Sequence, residues 1–409
     1  KMKKLDGLLA ACIENGIYVT TDLYTTREVP FSELGLDRPG RTQRETYKQL
    51  LFVHEPTVRN LERYVRQFLT HVNPLTGRDY AHEPALAWYC FVNEGQPGKL
   101  GTKGMRDEPL VVKAWEDWLA ERRRTDSAYA NITSDFPDDI DELTPKGDAY
   151  RRFLEFLARR LDTRLKAFVR SLGSKALVSS MNVWFNVAGF QLVREDVYDY
   201  VDDHFYIDHP EFVRDGKLLS KCRGYDPIST GTTGIIGRRL LNKPFTVTEY
   251  NYSAPGRYRG AGGIISGAFA AQQNWAALWR FTFGDWNVRL VDNPNLCQLD
   301  FHNTWGDPMM RASEYVFSAL FLREDIKPLR ERAVIAVPRE TVAGLHRDAF
   351  ARVAGFGWSQ LSWYLRSGTM VADTPPPDAR LGFVYPAGYT NDIADVRQRL
   401  FPDIGADEP

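Results

Sequence analysis

The sequence predicts an α/β fold of the (β/α)8, TIM-type barrel class, and three observations predict it. Short apolar runs alternate with amphipathic helical stretches, which is the rhythm of βα units with parallel strands. The run Ala85-Leu86-Ala87-Trp88-Tyr89-Cys90-Phe91-Val92-Asn93-Glu94 is nearly all apolar until it closes on an amide and a carboxylate. Such a run suits a parallel strand covered on both faces. Far downstream, Pro244-Phe245-Thr246-Val247-Thr248-Glu249 closes in the same way. A carboxylate is costly to bury without a partner or a task. Two of them in matching contexts suggest a pair of acids at the rim of a barrel, where the C-terminal ends of the strands gather the active site.

Taken in order, Leu5, Leu8, Leu9, Cys12 and Ile13 share one helical face, and Asn15-Gly16 ends that helix. A strand follows over residues 17–24, with Asp22 and Tyr24 at its end. Residues 25–56 are loop-rich. Leu61, Tyr64, Val65, Phe68 and Leu69 mark a second amphipathic helix, and Asn73-Pro74-Leu75-Thr76-Gly77 is a turn ahead of the Glu94 strand. Residues 111–124 read as helix. The acidic stretch 126–143 reads as a solvated excursion, with a substrate lid as the alternative. Thr144-Pro145 opens a long helix carrying Phe153, Leu154, Leu157, Leu161, Leu165, Phe168 and Val169 on one side. Further strands are expected over 176–182, ending at Asn182, over 197–206, ending Asp203-His204-Phe205-Tyr206, over 245–249, and over 277–283 ahead of Gly284-Asp285-Trp286. Helices are expected over 262–276 and 311–323. Beyond residue 324 the pattern changes, and 325–409 is expected to be an accessory, possibly β-rich region.

Composition narrows the function. With 52 Lys plus Arg against 53 Asp plus Glu, the chain is near neutral, which argues against nucleic acid or an acidic membrane as its main partner. No apolar run is long enough to span a bilayer. Its 10 Trp, 19 Tyr and 23 Phe suit a large core and also suit stacking on sugar rings. The four cysteines, Cys12, Cys90, Cys222 and Cys297, have neither zinc-site nor redox-pair spacing. His204 and His209 lack a third ligand at metal-site spacing. Oligomeric state is not legible.

Two carboxylates at strand ends fit glycoside hydrolysis, one protonating the leaving oxygen and the other attacking the sugar or activating water. Asn93-Glu94, His204-Phe205-Tyr206 and Thr248-Glu249-Tyr250, each closing an apolar strand in that order, resemble glycoside hydrolase clan A. Within the clan the chain is most similar to the cellulase-like enzymes of family 5, over about residues 5–320. The resemblance implies a retaining β-glycosidase acting on a β-linked oligo- or polysaccharide, with no metal or organic cofactor expected. Glu94 would be the acid/base and Glu249 the nucleophile. Asn93 would bind the sugar 2-hydroxyl, His204 and Tyr206 would line the site, and Trp286 would form its stacking floor. Tyr24 and Asn182 are further candidates for the cleft. An extracellular or periplasmic setting is implied by the family alone.

The sequence departs from the family in three places. Gly95 follows Glu94 where Pro is frequent, and Tyr24 stands where a His often closes the third strand. If Glu94 ends strand four, only one strand precedes it, so strands one and two are expected to be missing from an N-terminally truncated barrel. The alternative is completion by permutation through 333–337 and 381–385. For function, a barrel that binds glycans without cleaving them is the alternative from another class. Among enzymes, an exo-acting β-galactosidase or β-glucosidase competes with an endo-acting glucanase or mannanase.

Overall fold

A computed structural model describes residues 2–101, 105–140, 142–183, 187–207, 213–214, 217–218, 233–256, 258–284, 301–345, 356–387, 389, 392–400 and 402. The chain is mixed α/β with parallel strands. It divides into two compact units, Lys1–Val201 with Val342–Arg347, and Asp202–Thr341 with Asp348–Pro409. This cut differs from the border expected at 324/325. Among the described residues no helix is long and apolar enough to cross a membrane.

The first unit starts with helix α1 (Met2–Glu14) and strand β1 (Val19–Asp22). The expected apolar face of α1 is corrected here: Leu5 and Leu8 are exposed, and the buried residues are Asp6 and Leu9. Asp6 turns inward because it accepts from the Tyr80 hydroxyl and lies 2.8 Å from His71 Nε2. Helices α2 (Arg44–Val53) and α3 (Glu55–Leu69) follow. On α3, Leu61, Val65 and Leu69 recur every four residues and are buried, while Arg59 and Arg63 face outward. Strand β2 (Leu86–Cys90) pairs in parallel with β1 and with β3 (Leu177–Ser179). Between β2 and β3 lie α4 (Pro109–Thr125) and α5 (Pro145–Ser171). Thr144 caps α5 by accepting from the Gly147 amide at 3.1 Å, with Pro145 in the first turn. The loop after α4 is pinned by Trp115, whose Nε1 donates to the Ser134 carbonyl at 2.9 Å. Helix α6 (Phe190–Val197) follows β3.

The second unit carries strand β4 (Val201–Ile207), a short hairpin of β5 (Val213–Arg214) and β6 (Lys217–Leu218), and strand β7 (Phe245–Tyr252). Helix α7 (Gly262–Gln272) and strand β8 (Ala277–Arg280) follow, and the sheet order is β4-β7-β8. Among the described residues the strands of this sheet and of β1-β2-β3 form no closed barrel. A third sheet lies near the C-terminus: β9 (Arg332–Val337) between β10 (Arg366–Val371) and β11 (Leu381–Val384), all parallel. Ala333 to Val337 are all buried, as a central parallel strand requires. Helices over 339–344 and 356–361 lie between β9 and β10 in the chain.

One buried acid makes the first unit sensitive to pH. Asp162 on α5 is buried and accepts from the Tyr198 hydroxyl. Burial raises its pKa from 3.8 to about 7, against the opposing hydrogen bond from Tyr198. Because the folded value lies above the unfolded one, the neutral acid's contribution is complete below about pH 4 and is lost as pH rises through about 7. Asp162→Asn, which stays neutral, is therefore expected to raise the Tm relative to wild type at about pH 8 but not at about pH 4. The gain corresponds to roughly 2–4 kcal/mol. Equal Tm differences at both pH values in thermal melts would refute this.

Candidate active site

In the first unit, β2 stops at Cys90, four residues short of Glu94. Phe91 to Glu94 form a turn closed by the Gly95 amide donating to the Val92 carbonyl at 3.1 Å. Glu94 takes a left-handed conformation, φ 50°, which a non-glycine residue adopts only under constraint. Two hydrogen bonds supply that constraint. The Glu94 amide donates to Asn182 Oδ1 at 2.7 Å, and the Asn93 amide donates to the Tyr24 carbonyl at 2.9 Å. Gly95 is needed for the close approach itself, since a Cβ there would lie 2.4 Å from Val92 Cγ1.

Three of the residues expected in a cleft thus meet around one turn. Asn182 is fully buried and holds the Glu94 backbone. Tyr24 contributes its carbonyl; its ring is buried against Tyr47 at 4.6 Å and its hydroxyl donates to the Arg27 carbonyl at 2.7 Å. Asn93 is buried, and its Oδ1 has no hydrogen-bond partner among the described residues; neither does Asn182 Nδ2.

Sequence reading missed Lys48. It sits on α2 with its side chain fully buried, makes no hydrogen bond among the described residues, and pairs with Glu45 only at 3.6 Å. Burial lowers its pKa, with the charges of Glu45 and Glu94 pulling the other way. Its helix also touches the segment after Glu94, where Gln49 Nε2 donates to the Gln96 carbonyl at 3.3 Å. The available signal was a lysine set among Tyr47, Leu50 and Leu51 on the helix's inward side.

In the second unit, Glu249 lies within β7 rather than closing it, because the strand runs on to Tyr252. Its Oε2 accepts from the Tyr206 hydroxyl at 2.5 Å and lies 3.7 Å from His204 Nδ1. The other ring nitrogen, Nε2, is 3.0 Å from Thr248 Oγ1. Asp203 accepts from the His204 amide at 2.9 Å and faces Arg238 Nε at 3.2 Å. Tyr206 packs beside His302 at 5.0 Å and Phe281 at 6.3 Å between ring centroids. Neither aromatic carries a local signal of a site role: Phe281 follows an apolar strand and His302 lies in a loop outside any strand. Asn251 is fully buried and spent internally, donating to the Phe281 and His302 carbonyls and accepting from Arg280 Nη1 at 2.8 Å. Trp286, the expected stacking floor, lies outside the described residues, as do Trp184, Arg257 and His209.

Chemically, the two units hold two differently dressed carboxylates. Glu249 accepts a hydrogen bond from the Tyr206 phenol and lies beside the His204 imidazole. Glu94 is held by its backbone, leaving its side chain to be set by what surrounds it.

Known proteins resemble the chain in fold only. No family model matches it, and no curated protein sequence matches it. Among solved structures, a cold-adapted β-galactosidase from Rahnella sp. R3 superposes with a TM-score of 0.54 at 14% identity, over 91% of this chain and 57% of that one. A β-galactosidase from the psychrophilic Marinomonas ef1 gives 0.50 at 12%, over 89% and 59%. An endo-β-1,4-mannanase from Thermotoga petrophila gives 0.45 at 13%, over 81% and 66%. The chain spans less than two thirds of the length of each of these three proteins. In fold it resembles glycoside hydrolases.

Proposed function

We propose that the chain is a retaining glycoside hydrolase with a (β/α)8-type catalytic region, cleaving a β-linked oligo- or polysaccharide. Glu249 attacks the anomeric carbon while Glu94 protonates the departing glycosidic oxygen, giving a covalent glycosyl-enzyme. Glu94 then takes a proton from the water that displaces Glu249 and releases the sugar. Asn93 binds the 2-hydroxyl, His204 and Tyr206 line the site, and Trp286 stacks under the sugar. Tyr24 and Asn182 support the turn that carries the acid/base. Residues 325–409 act as an accessory region.

The observation that carries this reading is the Tyr206 hydroxyl donating to Glu249 at 2.5 Å with His204 alongside. The phenol's hydrogen bond holds the carboxylate in one position, as an attacking group needs. The order of strand-end motifs and the likeness in fold to glycoside hydrolases add to it.

Glu249→Ala is expected to cut kcat on aryl β-glycosides by on the order of 10⁴-fold or more. Azide should restore part of the rate and yield a glycosyl azide of inverted configuration. Retention of wild-type turnover would remove Glu249 from the mechanism.

Glu94→Ala is expected to slow substrates with poor leaving groups far more than dinitrophenyl glycosides, whose departure needs no proton. Uniform loss across leaving groups would reject Glu94 as the acid.

A β-galactosidase-like, exo-acting enzyme is the reading within this class that one observation favours, because the likeness to the Rahnella enzyme covers 91% of this chain. It is expected to turn over aryl β-galactosides and leave polymeric mannan and glucan intact. Depolymerisation of either polymer would decide for endo action, and glycan binding without turnover would decide for a non-catalytic barrel.

A further inference from the structure

A strand normally sends consecutive side chains to opposite faces. Thr248 and Glu249 are consecutive, yet they address the two nitrogens of the same imidazole. Thr248 Oγ1 lies 3.0 Å from His204 Nε2, and Glu249 Oε2 lies 3.7 Å from Nδ1. The register of β7 against β8 shifts between Val247 and Tyr250, and an irregularity of this kind re-aims side chains.

Behind Thr248 stands Asp202, fully buried on β4. Its Oδ1 accepts from Thr246 Oγ1 at 2.7 Å and from the Thr248 amide at 3.0 Å, and its Oδ2 accepts from the Thr248 hydroxyl. Three donors converging on one carboxyl suit an ionised, acceptor-only group. The Thr248 hydroxyl has one proton, and it goes to Asp202. Towards His204 that oxygen is left as an acceptor, so Nε2 must be the nitrogen that carries hydrogen.

We propose that Asp202 and Thr248 are positioning residues that lock His204 as its Nε2–H tautomer, keeping a lone pair rather than a proton on the nitrogen facing Glu249. A proton on Nδ1 would place a second donor beside the carboxylate that Tyr206 already serves. Holding it away leaves Glu249 more electron-rich for attack. The kinetic part rests on the glycosidase reading above, whereas the tautomer does not.

The test is long-range ¹H–¹⁵N correlation of the histidine ring nitrogens at about pH 8, above the ordinary imidazole pKa. His204 is assigned by its loss in His204→Gln. Wild type and Thr248→Ser are expected to show Nε2–H. Asp202→Asn reverses the relay. Its amide oxygen must face the Thr248 N–H, so its NH₂ donates to the Thr248 hydroxyl, which then donates to Nε2 and forces Nδ1–H. Thr248→Val keeps the shape but offers no acceptor, so the exclusive Nε2–H state is expected to be lost. If Asp202→Asn does not fold, Thr248→Val decides alone. An Nδ1–H or doubly protonated ring in wild type overturns the proposal, and so does an unchanged tautomer in Thr248→Val.

On aryl glycosides, Thr248→Val is expected to lower kcat roughly tenfold, with Thr248→Ser within about twofold of wild type. A purely structural role would penalise the lost methyl of Ser no less than the lost hydroxyl of Val. Wild-type kcat in Thr248→Val would sever the link to Glu249. If the wild-type chain proves inactive on all glycosides, the functional reading fails while the ring spectra still decide the tautomer.

Discussion

The second unit's site depends on one break in strand regularity, the shift in β7 between Val247 and Tyr250. With perfect alternation, a strand that turned Thr248 towards His204 would turn Glu249 away. The irregularity brings both to one ring, and β4 answers from the other side with residues spaced by two. Asp202, His204 and Tyr206 fall on one face of a regular strand, and each contacts Thr248 or Glu249. One regular strand and one irregular strand therefore assemble a polar chain that runs from the buried Asp202 through Thr248 and His204 to the partly buried Glu249, which Tyr206 also serves.

The first unit reaches a similar end by different means. There the strand stops early, and a tight turn re-aims the acid. The left-handed backbone at Glu94 costs on the order of 1 kcal/mol. The amide bonds to Asn182 and Tyr24 offset it, each worth about that much when buried. The departure at Gly95 has its explanation in Val92, which leaves no room for a side chain. Lys48 is buried on α2, 46 positions before Glu94 in the chain, and the Glu94 charge is one of the two that oppose the effect of its burial.

The order of strands and helices was legible because apolar periodicity survives without tertiary information. The strands expected to end near Tyr24, Glu94, Asn182, Tyr206, Glu249 and Phe283 are all present, though several are shorter than their apolar runs. Apolar runs report burial, and burial continues past the last ladder bond, as Phe91 and Val92 show. Local pattern could not reveal that Asp202 and Thr248 serve His204, since the rule of alternation hides any contact that a bulge creates. Nor could it orient α1, where a buried carboxylate, tied to Tyr80 and His71 across more than sixty residues, outweighs two leucines. The roles of Tyr24 and Asn182 were visible as positions but not as backbone supports, because a carbonyl or an amide contact leaves no trace in residue type.

Gln273, just past the end of α7, ties together parts of the second unit that lie far apart in the chain. Its Oε1 accepts from Arg239 Nη1 and from the Ser367 amide, and its Nε2 donates to the carbonyls of Ser362 and Leu365. Arg239 is buried, and its own backbone pairs with Thr369 on β10. A gene cut near residue 325 would therefore remove three of the four hydrogen-bond partners of the buried Gln273 side chain. The C-terminal sheet is fastened to the end of α7 through this one amide, so its loss would leave buried polar groups to find new partners.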